Sequence, residues 1–266
     1  MIVIGERING QFTDVEKAIQ DKDKEVIQNL AQKQLECGAD YLDVNVGTSV
    51  PSSDRVDAML WLVDTVQECT DAPLCIESPR RPVIEAALEE VEKPPIINSC
   101  QADLEELDEY IPMAKEYDSG LIALTMDKDG VPNDAAKRVE LAGNIVMKAT
   151  EYSYDFDKLF IDPIVLPVSA TQTQPGFLLD AMQQLQNISD PLPHFNIGLS
   201  NISSNTKENH LINRTYAVMC IAHGVDTAII DPMDEELMDA IITAEILLNK
   251  HIYNDDYLSA YRSSKK

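Results

Sequence analysis

Basic residues are scarce. Lys and Arg number 21 against 46 Asp and Glu, a formal net charge of −25. That balance argues against a nucleic-acid polyanion and against an anionic membrane surface as partners. Cysteine is sparse and unpatterned: five thiols, at 37, 69, 75, 100 and 220, with no C-x-x-C. No disulfide framework and no zinc site are suggested, which leaves reduced, mostly buried thiols. His194, His210, His223 and His251 are dispersed and form no ligand pair. No apolar run reaches membrane-spanning length. The opening MIVIGERING lacks a basic segment and a long apolar one, so no signal peptide is expected, and a soluble cytoplasmic protein is. GERING also fails G-x-G-x-x-G, the phosphate loop that would usually open a doubly wound sheet.

What is present is a rhythm. Eight short β-branched runs, at 2–4, 41–46, 74–77, 95–98, 121–125, 159–162, 196–200 and 227–230, alternate with longer helical patterns. Those patterns lie at about 22–37, 54–69, 81–91, 103–117, 134–151, 175–187, 211–223 and 234–248. Continuous apolar strands joined by helices imply a parallel sheet. Eight such units without a linker predict an α/β fold, one closed (β/α)8 TIM barrel forming a single domain over 1–266. Ser53-Asp54 is expected to cap the helix at 54–69 and Asn133-Asp134 the one at 134–151, with Gly38 and Gly224 as helix stops. The connections at 5–21, 163–174 and 201–210 are long and follow strands, where a barrel builds its active site. Trp61 reads as core, and Tyr253, Tyr257 and Tyr261 can pack on the barrel or on a second subunit.

The strand ends carry carboxylates and amides: Asp43 and Asn45, Glu77, Asn98, Asp162, Asn201 and Asp231. Taken singly, each reads more plainly as a turn or N-cap residue, above all in Asp162-Pro163 and Asp231-Pro232. Together they would repel and desolvate one another without balancing cations. A ligand that supplies donors explains them better. Mg²⁺ or Ca²⁺ accepts such oxygen ligands. A flat heterocycle with N–H and NH₂ groups on one edge, such as a pterin, also matches carboxylates and amides. Glu6 and Arg7, at the end of the first strand, are expected to pair with each other as a buried salt bridge.

The ordered set IGERING (4–10), LDVNVG (42–47), INS (97–99), IDPIVLP (161–167), GLSNIS (198–203) and INRTY (212–216) resembles the methyltetrahydrofolate:corrinoid-protein methyltransferases. These are pterin-binding barrels related to the folate domain of cobalamin-dependent methionine synthase. The resemblance covers nearly the whole chain. It implies methyl transfer between N5 of tetrahydrofolate and a corrinoid, the cobalamin-type group carried by a partner protein, with no metal or cofactor resident in the barrel. It implies a homodimer. It places pterin recognition on Glu77, Asn98 and Asp162 and the N5 contact on Asn201; Ser200 and Asn45 are expected to bind substrate as well, Asn45 with Asp43 as support behind the pterin. Where the family usually has Asp-Ser, this chain has Glu77-Ser78, one methylene longer. That departure and the loop after Asn201 point to the branch similar to glycine-betaine demethylation, in which a methylcorrinoid protein donates to tetrahydrofolate. Arg80 and Arg81 can meet the glutamate tail of folate or start a solvated helix; the residues leave both open. The alternatives are a dihydropteroate synthase-like enzyme, a metal-dependent lyase barrel and a non-catalytic folate carrier. The first is disfavoured because GLSN and IIDPMD lack the cations it needs after strands seven and eight.

Overall fold

In the computed structural model, which describes residues 1–264, eight parallel strands pair in chain order and the last pairs with the first, closing a barrel. The two residues that complete the expected 1–266 unit lie outside the described range. The strands are β1 (Ile2–Asn9), β2 (Tyr41–Asn45), β3 (Leu74–Glu77), β4 (Ile96–Gln101), β5 (Gly120–Leu124), β6 (Leu159–Asp162), β7 (His194–Gly198) and β8 (Thr227–Ile230). The helices are α1 (Thr13–Asp21), α2 (Lys24–Glu36), α3 (Arg55–Gln67), α4 (Arg81–Leu88), α5 (Leu104–Glu116), α6 (Ala135–Glu151), α7 (Gln174–Leu185), α8 (Asn209–Ala222), α9 (Glu235–Leu247) and α10 (Tyr257–Ser264).

Side chains alternate along a strand, so each strand feeds two cores. Outward residues such as Val3, Leu42, Ile76 and Ile97 pack under the helices. Inward residues Ile4, Cys75, Ile96, Ile122 and Phe160 form a separate apolar plug inside the barrel. This plug is a floor on which a polar layer can stand.

Local chemistry sets the element ends. Asp134 accepts the Lys137 N–H at 2.8 Å and caps α6, as expected. Asp54 does not cap α3. Its own backbone is already helical (φ −106°, ψ −2°), no side-chain cap bond forms, and its carboxylate takes the Ser53 hydroxyl at 2.7 Å instead. Gly38 and Gly224 stand at φ 104° and 99°, the left-handed conformation that ends a helix. The expected 5–21 loop is instead the second half of β1 followed by α1, whose buried Val15, Ala18 and Ile19 share one helical face. Trp61 is only half-buried: it packs on the core while the Lys22 ammonium lies 4.7 Å over its ring. In the tail, Tyr257 hydrogen-bonds Thr243 at 2.9 Å and Tyr261 packs on the core, so both lie against the barrel.

Among the described residues no helix is long and apolar enough to cross a membrane.

Candidate active site

Two residues above the apolar plug, the inward positions turn polar. Glu6 follows Ile2 and Ile4 on β1, Glu77 follows Cys75 on β3, Asn98 follows Ile96 on β4 and Asp162 follows Phe160 on β6. Asp43 and Asn196 join them from β2 and β7, buried to within 1% and 0% exposure. The register of β1 against β2 shifts between Gly5 and Ile8, at Glu6 and Arg7 themselves. Bulges of this kind often sit beside active sites and re-aim a side chain. Over this layer opens a cavity of about 340 Å³, lined by Glu6, Asn9, Phe12, Glu77, Ser200 and Asn201 with their neighbours. A side lobe of about 320 Å³ runs from Glu6, Phe12 and Ser200 toward Asn213, Asp231 and Asp234.

The hydrogen bonds tie strand to strand. Asn98 donates to Asp43 at 3.2 Å, and Asn9 reaches Glu77 at 3.4 Å. Asp162 accepts from the Ile164 N–H on one oxygen and from the Asn196 amide on the other, each at 2.7 Å. Ile164 gives that N–H from φ 62°, a costly backbone conformation for a β-branched residue. The buried Arg138 steadies this turn: it donates to Pro163 O at 2.8 Å and to the Gln174 side chain at 2.6 Å. The Ser200 hydroxyl donates to Glu6 at 2.7 Å. Asn201 folds back over the end of β7, where a Cβ on Gly198 would come within 3.0 Å of its amide nitrogen.

The structure therefore brings Glu77, Ser200 and Asn201 to the cavity wall, with Asn98 and Asp162 buried in the polar layer at 7% and 6% exposure. Asn45 behaves differently from the expectation. Its side chain accepts the Gly47 N–H at 2.7 Å and its carbonyl the Gly10 N–H at 2.8 Å, so it braces the loop rather than lining the cavity. The expected Glu6–Arg7 pair is also absent. Arg7 turns outward to Asp14 at 3.0 Å and lies 3.9 Å over the Phe12 ring, while Glu6 faces the cavity. Arg81 is engaged by Glu85 at 2.8 Å and Glu109 at 2.7 Å on the outer surface, as a helix start would be.

Residues 9–231 match the family described as pterin binding enzyme. The chain belongs to that family. It is 33% identical, over all of its length and 97% of the relative's, to a methylcorrinoid:tetrahydrofolate methyltransferase of Eubacterium limosum. It is 26% identical to the methionine synthase of Mycobacterium leprae (strain TN), with 86% of this chain aligned to 20% of that protein. Solved structures share the fold. DHPS of Yersinia pestis with a pterine-sulfa conjugate aligns at TM-score 0.69 and 16% identity, over 94% of both chains. The dihydropteroate synthase of Coxiella burnetii in complex with pteroic acid aligns at 0.66 and 14% identity, over 92% of this chain and 94% of that one.

In this pterin-binding enzyme the buried carboxylates stand close together, with only partial relief from the charge of Arg7 on Glu6 and Asp231. Burial pushes Glu6 up to about 7, and burial pushes Asp162 up to about 6 against the pull of its two donors. Asp43 is pushed well above the usual carboxylate range, first by burial and then by the neighbouring Glu77. Asp231 is raised by burial as well. Neither lobe is lined by Lys or Arg among the described residues. Such a layer suits a ligand that presents N–H donors.

Sequence reasoning missed Asn196, Asn9 and Phe12. For Asn196 a signal existed: it stands two residues before Gly198, on the same inward face, as a lone amide in an apolar run. Its Oδ1 is buried with no hydrogen-bond partner. Buried polar atoms are seldom left so, and this one faces the same polar layer as Asp162.

Proposed function

We propose that this chain transfers a methyl group between a corrinoid carried by a partner protein and N5 of tetrahydrofolate, in the direction from methylcorrinoid to tetrahydrofolate. The observation that carries the reading is the cavity wall: an uncharged amide, Asn201, stands over a carboxylate-rich floor that, among the described residues, no Lys or Arg lines. The full-length similarity to a methylcorrinoid:tetrahydrofolate methyltransferase supports it.

In this reading Asp162, Asn98 and Glu77 hold the donor edge of the pterin, with Ser200 beside them, and Asn201 meets N5. The N5 lone pair attacks the methyl carbon. The electrons of the cobalt–carbon bond stay on cobalt, which leaves as Co(I). The chain's share is positioning and electrostatics. As N5 gains charge, the Asn201 amide can accept through its oxygen; in the reverse direction it can donate through its nitrogen. A carboxylate there could only accept and a lysine only donate. A dihydropteroate synthase reading is disfavoured because Asn201 and Asp231 stand after β7 and β8 where cations would be needed. The reading takes the whole chain as one barrel unit, in the cytoplasm, working as a homodimer. Leu247, Leu248 and Ile252, 80%, 43% and 93% exposed at the end of α9, offer such a dimer an apolar surface.

The test is tetrahydrofolate-dependent demethylation of methylcobalamin, followed anaerobically by absorbance, with Asn201→Ala alongside. Transfer by the wild type, and a turnover loss in the variant far larger than its loss of folate affinity, is the expected result. Folate binding without any transfer, from methylcobalamin or from methylcorrinoid proteins, would make the protein a carrier. No folate binding, with tight stoichiometric Mg²⁺ or Mn²⁺ binding instead, would return it to the metal-dependent lyases.

A further inference from the structure

Methylation of tetrahydrofolate leaves a proton to place, since N5 bears a hydrogen before the reaction and none after it. Neither Asn201 nor Ser200 can keep a proton, because a neutral amide and a hydroxyl only pass one on. We propose that Glu6 is the base that takes the N5 proton. This rests on the methyl-transfer reading above.

The geometry favours Glu6 over the other carboxylates. It is inward-facing at the register shift in the middle of β1, and it lines both the main cavity and the side lobe. Its Oε1 accepts from Ser200 at 2.7 Å, the residue that immediately precedes Asn201. Arg7, its neighbour on β1, pairs with Asp14 and lies over Phe12, so among the described residues no ion pair forms with Glu6. Asp162, by contrast, already holds the Ile164 N–H and the Asn196 amide, and in the present reading the pterin edge. Asp43 is crowded by Glu77 and takes the Asn98 amide. Asp231 holds the Met233 N–H at 3.0 Å and lies in the side lobe, where the main cavity does not reach.

The groups that face Glu6 tune it. Burial raises its pKa most, the Ser200 hydroxyl lowers it, Asp231 from the end of β8 raises it, Arg7 on its own strand lowers it, and Glu77 from β3 raises it. The outcome, about 7, suits a group that must accept and release a proton near neutrality.

The step balances as follows. The N5 lone pair forms the bond to methyl, and the cobalt–carbon pair remains on cobalt as Co(I). The N5 ammonium so formed passes its proton to the Glu6 carboxylate, which returns it to solvent when the product leaves. In reverse, protonated Glu6 supplies the proton that makes N5 a leaving group while Co(I) attacks the methyl carbon.

The experiment uses the whole chain with free methylcobalamin and tetrahydrofolate forward, and cob(I)alamin with 5-methyltetrahydrofolate in reverse, in single turnovers from pH 5.5 to 8.5. For the wild type at saturating folate, the forward rate should rise with pH through one ionisation near 7, and the reverse rate should fall through the same one. Glu6→Gln keeps an acceptor for Ser200 yet cannot take a proton. It should lose roughly 100-fold or more in rate, lose the limb near 7, and keep folate affinity within about two-fold by calorimetry. Ser200→Ala removes a donor that holds the pKa down, so its limb should move to higher pH. A Glu6→Gln protein that still shows the limb near 7 overturns the proposal. A variant whose rate loss merely follows its loss of folate affinity overturns it too. A wild type that gives no transfer in either direction, with free cobalamin or with a corrinoid protein, defeats the methyl-transfer reading itself, which is a different outcome from transfer with an unaltered limb.

Discussion

The side-chain amide of Asn196 donates to Asp162 across 2.7 Å, and neither residue is more than 6% exposed. The bond joins β6 to β7 inside the barrel and holds the Asp162 carboxyl lower than burial alone would. Asn196→Ala removes it. The variant should bind tetrahydrofolate more weakly at pH 7 by about 1.5–3 kcal/mol, the usual worth of one hydrogen bond to a charged group. Because the Asp162 pKa then rises further, the deficit should be larger at pH 6 than at pH 8. Calorimetry at the two pH values checks both statements; an equal deficit would mean that Asn196 acts by packing alone.

Asp162 itself should make folate affinity depend on pH. Its free-protein pKa is about 6, and the donor edge of a pterin needs the carboxylate. Below that pH, binding must first remove a proton, so the dissociation constant should rise as pH falls through 6. Asp162→Asn should bind weakly at every pH and should lose that part of the slope. A wild-type slope retained in Asp162→Asn would assign the titration to another carboxylate.

The barrel was readable in the sequence because its strands are buried on both faces and so run apolar, while the helices keep a mixed period. The second half of β1 was not. Gly5-Glu6-Arg7 breaks the apolar run, and it does so because Glu6 points into a polar cavity. The same polarity made a salt bridge with Arg7 look natural, though the bulge between Gly5 and Ile8 sends the two side chains to different places. Asn45 looked like a ligand residue for the opposite reason: its partner, the Gly47 N–H, is a local backbone group that a sequence does not display. The positions of Glu77, Ser200 and Asn201 at the cavity were legible because barrel strand ends converge on one face.

Glu6 should also set a pH dependence of stability. Its folded pKa lies above its ordinary 4.5, at about 7. The folded protein therefore holds the proton more firmly than the unfolded chain. The stability this gives is full below about 4.5 and is lost as pH rises through 7, to the order of 3 kcal/mol. Glu6→Gln removes the buried charge and keeps the Ser200 contact. Its melting temperature should exceed that of the wild type at pH 8, and the difference should vanish toward pH 5. Asp43 and Asp162 titrate in both proteins and so cancel from the comparison.

Two glycine substitutions should act in opposite directions. A Cβ on Gly10 would lie 2.3 Å from the Val46 carbonyl oxygen and 3.0 Å from the Gly47 nitrogen, both backbone atoms. Neither can yield without moving the loop that Asn45 braces, or Gly10 itself, which directly follows Asn9, the partner of Glu77. Gly10→Ala should therefore cost about 1–3 kcal/mol of stability, as overpacking does. It should also weaken folate binding through the displaced loop. Gly143 lies in α6 with nothing within 4 Å of its added Cβ. There alanine restricts the unfolded chain and suits the helix, so Gly143→Ala should stabilise by about 0.4–1 kcal/mol and leave folate affinity unchanged. Denaturant melts of the two variants separate the cases, because an intrinsic dislike of alanine for glycine would push both the same way.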